Sequence, residues 1–323
     1  MRKHVVVITG QIAGEALQIL QPTCDVVCTQ PYLPAADFVA QMVELKADAL
    51  LVRGVSGRIT REVMQASPNL RVIAKHGVGV DNIDIDAATA LGIPVLNTPA
   101  ANYDSVAEHV LGLMLALAKD LADQDRRMRD GHWDKMGYRG RELLNKTLGL
   151  VGFGRIGRRV RELVAPLHMK VLVYDPILRS GGNGQDVTIV DTLDELLVAA
   201  DIVSLHCPLT QKTRGLIGRR ELRLMKRTAW LINTARGAVV DEGALIVALN
   251  AGEIAGAGLD TFTEEPPKQL ALLANAGKTV LSPHVGGVTE ESFVRMGVAA
   301  TKGIMRILAG GKPDPECWVN SGR

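Results

Sequence analysis

The sequence predicts an α/β protein in which helices cover both faces of parallel β-sheets. Short aliphatic runs alternate with amphipathic segments along most of the 323 residues, and the connections between them are short. Aromatic residues make up only 3% of the chain, so the core has to be aliphatic, as the strands of buried parallel sheets are. The length allows two domains of roughly 100–200 residues each.

The first third of the chain alternates between predicted strands and predicted helices. We expect strands at five aliphatic runs, residues 5–8, 26–28, 49–52, 70–74 and 94–96. Helical periodicity marks the segments between them, among which are residues 14–20, 35–46 and 60–66. This alternation predicts one parallel sheet.

A single long helix is predicted over residues 103–128, where apolar side chains recur at spacings of three and four. A polar, basic loop follows, and we interpret its part over 131–141 as a surface or subunit-contact segment without a catalytic role. A second series then supplies six predicted strands, residues 147–151, 170–174, 202–205, 229–232, 257–259 and 280–281. The last helix, residues 290–308, has no strand after it and is expected to return to the first domain.

The predicted domain boundaries lie at residues 97–99 and 282–283, where a Pro disfavours helix in the residue before it. We therefore expect a nucleotide-binding domain over residues 99–288, inserted into a discontinuous substrate-binding domain made of residues 1–98 and 289–323. A cleft between two such domains is a common place for a ligand to bind.

Composition excludes several other classes of protein. The formal net charge of +2 gives no electrostatic argument for a nucleic-acid or membrane partner. No apolar run approaches the roughly 18 residues that a membrane-spanning helix needs. The four cysteines form no CxxC pair, so we predict no metal site and interpret them as the reduced thiols of a cytoplasmic protein.

Residues 152–157 read Gly-Phe-Gly-Arg-Ile-Gly, which matches the pattern G-x-G-x-x-G. The motif follows a predicted strand and opens a predicted helix over residues 155–167, which is the context that makes it informative. Gly152 would permit a tight turn, Gly154 would let a pyrophosphate approach the backbone, and Gly157 would let the helix pack closely on the strand. The helix N-terminus offers N–H groups to the phosphates. The segment therefore predicts a dinucleotide site.

The predicted dinucleotide is NAD. Asp175 ends the next strand, eighteen residues after Gly157, where a carboxylate accepts hydrogen bonds from ribose hydroxyls and repels a 2′-phosphate. Arg179 lies four residues further on and would soften this preference.

Three further segments, residues 233–237, 259–267 and 282–287, stand at strand ends in the second series, where an open α/β sheet places its ligand crevice. They suggest a mechanism in which Arg236 fixes an acid group, His284 moves a hydroxyl proton and a Glu orients and charges the His. Each segment alone also fits a structural interpretation: a surface Arg, an acidic loop before a Pro pair, or a His that serves the fold.

With these segments in place, the chain resembles the D-isomer-specific 2-hydroxyacid dehydrogenases, in the branch of phosphoglycerate dehydrogenase and hydroxypyruvate reductase. The matching segments follow the family's order over nearly the whole chain: residues 76–84, 106–109, 148–157, 233–237, 259–266 and 283–287. The resemblance implies a Rossmann nucleotide-binding domain inserted in a discontinuous flavodoxin-like substrate domain. It also implies a homodimer formed largely through the nucleotide domain.

The resemblance also implies roles for single residues. Arg236 corresponds to the substrate-binding Arg, His284 to the acid/base and Glu265 to its partner, with Glu264 the less apt neighbour. The backbone of Val78 and Gly79 would hold the substrate carboxylate. The implied cofactor contacts are Gly152, Gly154, Arg155, Ile156, Gly157, Asp175, Cys207, Pro208, Thr213, Thr234, Ala235, Arg236, Asp260, His284 and Gly286.

The substrate is less well defined by the sequence. Arg53 and Lys75 resemble basic positions of the phosphoglycerate dehydrogenase branch and would suit a phosphate or a second carboxylate, although both also fit solvated strand-end residues. The chain stops at Arg323, so no C-terminal regulatory domain is expected. The predicted substrates are 3-phosphoglycerate or hydroxypyruvate and glyoxylate.

Two other functions are compatible with parts of the sequence. Formate dehydrogenase shares a related fold, but it would need a Gln in place of Glu265. A non-enzymatic NAD(H)-sensing protein of the corepressor type stays open as an alternative, because such proteins can keep all three catalytic side chains.

Overall fold

The computed structural model describes residues 2–54, 57–178 and 187–322, so Arg179 lies outside the described residues. The chain divides into two compact units. We call Met1–Asn102 with Val288–Arg323 the split unit, and Tyr103–Gly287 the inserted unit. That the split unit binds substrate stays a prediction.

The split unit is built on a parallel sheet with strand order β2-β1-β3-β4-β5. Its strands are β1 His4–Thr9, β2 Cys24–Thr29, β3 Ala49–Val52, β4 Val72–Lys75 and β5 Val95–Leu96. The helices between them are α1 Gly14–Leu20, α2 Ala35–Leu45, α3 Arg61–Gln65 and α4 Ile85–Ala90. The strand order is that of flavodoxin-like folds, as expected.

The inserted unit is built on a larger parallel sheet with strand order β12-β11-β10-β9-β6-β7-β8. Its strands are β6 Thr147–Val151, β7 Lys170–Tyr174, β8 Thr188–Ile189, β9 Ile202–Leu205, β10 Trp230–Asn233, β11 Gly256–Leu259 and β12 Thr279–Leu281. Counted from β6, the sheet has the Rossmann order with one strand added at the far edge. The six predicted strands are all present, and the two-residue edge strand β8 is additional.

Helices surround this sheet, and aliphatic side chains fill the space beneath them. They are α5 Tyr103–Lys119, α6 Leu121–Arg129, α7 Arg155–Val164, α8 Leu193–Ala199, α9 Arg219–Leu224, α10 Glu242–Asn250 and α11 Leu270–Ala274. Two short 3₁₀ helices add Ala165–Leu167 and Gly237–Val239. No helix in the described part of the chain is long and apolar enough to cross a membrane.

The predicted single helix over 103–128 is wrong, because the chain breaks at Asp120. Asp120 has a left-handed backbone (φ 57°), which a short polar side chain tolerates better than most, and its carboxylate pairs with Lys278 at 2.8 Å. The predicted helix over 155–167 also changes character, since Pro166 gives its last turn a 3₁₀ form.

The last helix, α12 Glu290–Leu308, returns to the split unit as predicted. Thr289 caps its N-terminus, since the hydroxyl of Thr289 accepts from the N–H of Ser292, and the helix packs against α1 and β4. A Cβ on Gly297 would lie 2.9 Å from the Cβ of Ala16, so glycine is what allows α12 to approach α1 this closely.

The C-terminal segment completes one edge of the split unit's sheet. Trp318 forms an antiparallel bridge with Leu96, and the N–H of Val319 donates to the carbonyl of Val95. The side-chain oxygen of Asn320 accepts from the N–H of Val95 at 2.9 Å. Strand β5 is therefore paired on both sides.

Candidate active site

The glycine motif forms the turn between β6 and α7. Gly152 has φ 95°, and a Cβ there would lie 2.9 Å from the carbonyl of His206. A Cβ on Gly157 would lie 2.5 Å from the carbonyl oxygen of Gly152. At Gly154, by contrast, no described atom comes within 4 Å of a Cβ position, so the backbone there is open to a ligand. Arg155 and Ile156 follow as the first residues of α7, whose N–H groups suit an anion.

Asp175 lies directly after β7 and is hydrogen-bonded to the glycine turn. Its Oδ2 accepts from the N–H of Phe153 at 2.9 Å, and its Oδ1 accepts from the N–H of Ile177 at 3.0 Å. An ionised carboxylate has about four acceptor positions. Each oxygen can therefore accept one more hydrogen bond, which suits the two hydroxyls of a ribose.

The segment after β9 lies close to the same turn. The backbone nitrogen of Cys207 would be 3.0 Å from a Cβ on Gly152, and burial raises the pKa of the Cys207 thiol to about 11, so the thiol stays neutral. The hydroxyl of Thr213 donates to the carbonyl of Pro208 at 2.6 Å and accepts from the N–H of Thr210 at 2.8 Å. Thr213 therefore closes the loop that carries Cys207 and Pro208.

Arg236 stands on a loop that Asn233 holds in place. Asn233 is buried at the end of β10, and its side chain accepts from the N–H of Ala235 (3.1 Å) and donates to the carbonyl of Arg236 (2.9 Å). The hydroxyl of Thr234 is buried, and within the described ranges it has no hydrogen-bond partner. An ordered water or a ligand would satisfy such an atom, and a ligand would fit the predicted cofactor contact at Thr234.

Glu265 and His284 form a close pair across two strand ends. Nδ1 of His284 lies 2.7 Å from Oε2 of Glu265, whose Oε1 accepts from the N–H of Phe262 at 3.1 Å. The neighbouring Glu264 instead pairs with Lys268 at 2.8 Å. Of the two acidic residues, the structure therefore brings Glu265 to the His.

The charge of Glu265 determines which ring nitrogen of His284 carries hydrogen. Burial raises the pKa of Glu265, but the hydrogen bond and charge of His284, together with Phe262 and Arg236, more than offset it and leave the pKa below its usual value. The carboxylate is therefore ionised at neutral pH and accepts a hydrogen from Nδ1. Nε2 of His284 is left to exchange a proton with a substrate.

Asp260 and Gly286 form a buried feature beside this pair, whose own side chains are exposed. Asp260 accepts from the hydroxyl of Ser282 (2.6 Å) and from the N–H groups of Val285 and Gly286 (2.9 Å each). A Cβ on Gly286 would lie 2.9 Å from Oδ2 of Asp260 and 3.0 Å from Cδ2 of His109. Sequence reasoning missed the roles of Asn233 and Ser282. Asn233 lies inside a segment that carries the family resemblance, and Ser282 directly precedes another such segment.

In the split unit, Arg53 and Lys75 lie at the carboxyl ends of the adjacent strands β3 and β4. The guanidinium of Arg53 stacks over the ring of Phe293 at 4.8 Å and donates to the carbonyl of Gln11 at 2.9 Å, so Arg53 is held rather than freely solvated. Val78 and Gly79 follow in the loop after β4, where the side chain of Asn97 donates to the carbonyl of Val78.

His76 gives the split unit a pH-dependent stability. Burial, followed by the charge of Arg53, lowers the pKa of His76 to about 4. The unfolded chain binds the proton near pH 6.5, so stability is complete above that pH and falls as pH drops from 6.5 towards 4. We expect His76 to account for a loss of about 2 kcal/mol in the free energy of unfolding at about pH 5 relative to about pH 7.5.

Urea titrations at the two pH values would measure this loss, with His76→Gln as the control. The variant keeps every other titrating group, so its stability should fall by about 2 kcal/mol less than that of the wild type over the same range. An equal fall in both proteins would contradict the prediction.

No group of three or more His, Cys, Asp or Glu side chains in residues 2–54, 57–178 and 187–322 is arranged to hold a metal ion. The four cysteines are free thiols. The structure brings Asp175 to the open glycine turn and Glu265 to His284. Thr234 and Arg236 follow β10, the strand beside β11 in the same sheet.

Comparison with known proteins identifies the family. The family model described as "D-isomer specific 2-hydroxyacid dehydrogenase, NAD binding domain" matches residues 111–286 of the sequence, which is more than half of the chain. The D-3-phosphoglycerate dehydrogenase of Methanocaldococcus jannaschii is 43% identical over 265 residues, which cover 82% of this chain and 50% of that protein. This chain therefore spans about half the length of that relative.

Two other proteins match over almost their full lengths. The hydroxypyruvate reductase of Thermotoga maritima is 37% identical over 310 residues, covering 95% of this chain and 99% of that protein. The crystal structure of a glyoxylate reductase from Paecilomyes thermophila has a TM-score of 0.87 at 28% identity and covers 100% of both chains. This chain belongs to the D-isomer-specific 2-hydroxyacid dehydrogenase family, and its inserted unit is the NAD-binding domain.

Proposed function

We propose that the protein interconverts a D-2-hydroxy acid and its 2-keto acid by NAD-dependent hydride transfer. The observation that carries this proposal is the 2.7 Å contact between Nδ1 of His284 and Glu265, in a unit whose glycine turn and Asp175 suit NAD. Family membership supports the same reaction class.

In this proposal, the residues of the chain manage the proton and the carboxylate. Arg236 binds the substrate carboxylate, for which the planar guanidinium offers two parallel hydrogen bonds. In the oxidation direction, Nε2 of His284 takes the proton of the 2-hydroxyl group, and the Glu265 carboxylate stabilises the imidazolium that results. In reduction, the same nitrogen returns the proton to the carbonyl oxygen. When bound, NAD would supply the hydride acceptor for oxidation at C2, and NADH the hydride donor for reduction.

Asp175 is the residue that we expect to select NAD over NADP. Asp175→Ala should raise the KM for NADH by about tenfold or more, since two charge-assisted hydrogen bonds to the ribose are lost. The preference for NADH over NADPH should shrink by a similar factor, because the negative charge that repels a 2′-phosphate is gone. Steady-state kinetics with both cofactors would measure the two effects.

Asp175→Asn is the matched control for this prediction. The amide keeps an oxygen that can accept from the N–H of Phe153, so the glycine turn should stay in place while the charge is removed. Asn should therefore relax the preference for NADH with a smaller rise in KM than Ala. A wild-type protein that already prefers NADPH would contradict the assignment.

We infer that the substrate is 3-phosphoglycerate or the pair hydroxypyruvate and glyoxylate. Relatives carrying these names match the chain, and Arg53 and Lys75 at adjacent strand ends would suit a phosphate or a second carboxylate. Val78 and Gly79 would hold the carboxylate that is common to all of these substrates.

A screen of NADH oxidation over six keto acids tests the proposal: hydroxypyruvate, glyoxylate, pyruvate, 2-oxoglutarate, oxaloacetate and phosphohydroxypyruvate. Turnover of at least one is the expected result, and a preference for the phosphorylated acid would support Arg53 and Lys75 as phosphate ligands. NADH binding without turnover of any of the six would contradict the enzymatic proposal and favour the sensing protein.

We further propose a homodimer formed through the inserted unit. Helix α6 has no buried residue, and apolar side chains on it and on the loop after it are exposed, with Trp133 at 75% and Met136 at 86%. A monomer would leave this apolar surface in water, whereas a second copy would cover it. Light scattering should give twice the mass of one chain, and Trp133→Glu should reduce the measured mass.

We also propose a cytoplasmic location, which the four free thiols support.

A further inference from the structure

The buried carboxylate of Asp260 is connected to His109, a residue that the proposed mechanism does not use. His109 lies on α5, and its Nε2 is 2.8 Å from the hydroxyl oxygen of Ser282. That hydroxyl is 2.6 Å from Oδ1 of Asp260, which is only 2% exposed. All three residues belong to the inserted unit.

The hydrogen bonds from His109 through Ser282 to Asp260 can run in only one direction. A carboxylate accepts hydrogen bonds but cannot donate them, so the single hydroxyl hydrogen of Ser282 goes to Asp260. The hydroxyl oxygen then accepts from Nε2 of His109, which must carry a hydrogen. The 3.5 Å distance from the same nitrogen to Oδ1 of Asp260 agrees, because it places Nε2 beside a second acceptor.

Asp260 in turn fixes the backbone that follows the proposed acid/base. It accepts from the N–H groups of Val285 and Gly286, the two residues directly after His284. Gly286 fits tightly between Asp260 and His109, where a Cβ would come within about 3 Å of both. A shift of Asp260 would therefore move the loop on which His284 stands.

We propose that His109 is a positioning residue that orients Asp260 through Ser282 and so sets the geometry of His284. The inference rests on the proposed function for its kinetic consequences, but the hydrogen-bond chain itself exists in the protein without cofactor. His109 needs no contact with substrate for this role.

The test compares His109→Gln with His109→Asn, whose side-chain N–H donors differ by one bond in their distance from Cα. The amide nitrogen of Gln stands as many bonds from Cα as Nε2 of His, whereas that of Asn stands one bond closer. We expect His109→Gln to keep kcat within about threefold of the wild type and His109→Asn to lower it by about tenfold or more, the factor typical of losing one hydrogen bond in a charged network. Ser282→Ala should lower kcat by a similar factor.

A double variant and a spectroscopic measurement make the test specific. Adding His109→Asn to Ser282→Ala should cause little further loss, because both changes break the same chain. In the protein without cofactor, ¹⁵N chemical shifts of the imidazole should show hydrogen on Nε2 of His109 whether or not the protein turns over any keto acid.

Several results would overturn the proposal. They are equal activity of the Gln and Asn variants, additive losses in the double variant, or a neutral His109 with hydrogen on Nδ1 alone. If His109→Asn did not fold, Ser282→Ala alone would supply the comparison, and a kcat within about threefold of the wild type in that variant would count against the proposal. A wild-type protein without turnover would instead contradict the proposed function, while the ¹⁵N measurement would still test His109.

Discussion

His284→Ala is expected to lower kcat by about 10²- to 10⁴-fold, the range that a positioned acid or base contributes. The variant removes the group in the proposed site whose Nε2 exchanges the hydroxyl proton, and it leaves the Glu265 carboxylate without its partner. Binding of NADH should stay nearly intact, since the glycine turn and Asp175 lie at other strand ends of the same sheet. Stopped-flow turnover and NADH fluorescence titration would measure the two quantities separately.

Two further variants test whether the loss of activity is specific to the His284–Glu265 pair. Glu264→Gln alters the acidic residue that pairs with Lys268 instead of His284, and it should leave kcat within about twofold. Glu265→Gln should lower kcat, because a neutral amide cannot stabilise the imidazolium. Full activity in His284→Ala would refute the mechanism.

Gly237→Ala is expected to have the second-largest effect, through the backbone rather than through chemistry. Gly237 directly follows Arg236, and a Cβ there would overlap the backbone of Phe262 and Thr263. That backbone leads to Glu265, so relief of the overlap has to displace either the Arg236 loop or the segment that carries Glu265. We expect a destabilisation of about 1–3 kcal/mol, as overpacking of a tight site usually gives.

Activity should fall further than stability alone would explain, since a displacement of about 1 Å in a catalytic group can cost about 10²-fold in rate. The melting temperature and kcat measured on one preparation would separate the two effects. Gly243→Ala is the matched control: the nearest atom to its Cβ is Oδ1 of Asp241 at 3.4 Å, and Ala in helix α10 should be neutral or slightly stabilising. Unchanged kinetics in Gly237→Ala would show that the Arg236 and Glu265 segments are not coupled in this way.

The elements predicted well are those whose identity follows from local pattern. Strands such as Ile202–Leu205 are buried at every position. Because a fully buried strand appears in the sequence as a short, mainly aliphatic run, the sequence shows where it lies. The glycine motif is recognisable because a strand precedes it and a helix follows it. Parallel order then places all the strand ends of each sheet at one edge, and Arg236, Glu265 and His284 follow the neighbouring strands β10, β11 and β12. That the three act together stays a prediction.

The parts that sequence reasoning missed depend on partners distant in the chain. The break at Asp120 goes with its ion pair to Lys278, which no local periodicity reveals. The two residues of β8 are too few to show a pattern. Asn233 and His109 both lie in segments that carry the family resemblance, but their roles depend on hydrogen bonds whose other partners the fold supplies.

The antiparallel bridge between Trp318 and Leu96 affects the order in which the two units fold during synthesis. Because α12 and residues 318–320 complete the split unit, its sheet cannot be finished until residues 318–320 have left the ribosome. The inserted unit ends at Gly287 and is complete some thirty residues earlier. Domains generally fold as units during synthesis, so the nucleotide-binding half should fold first, while the first strands of the other half wait for their last helix.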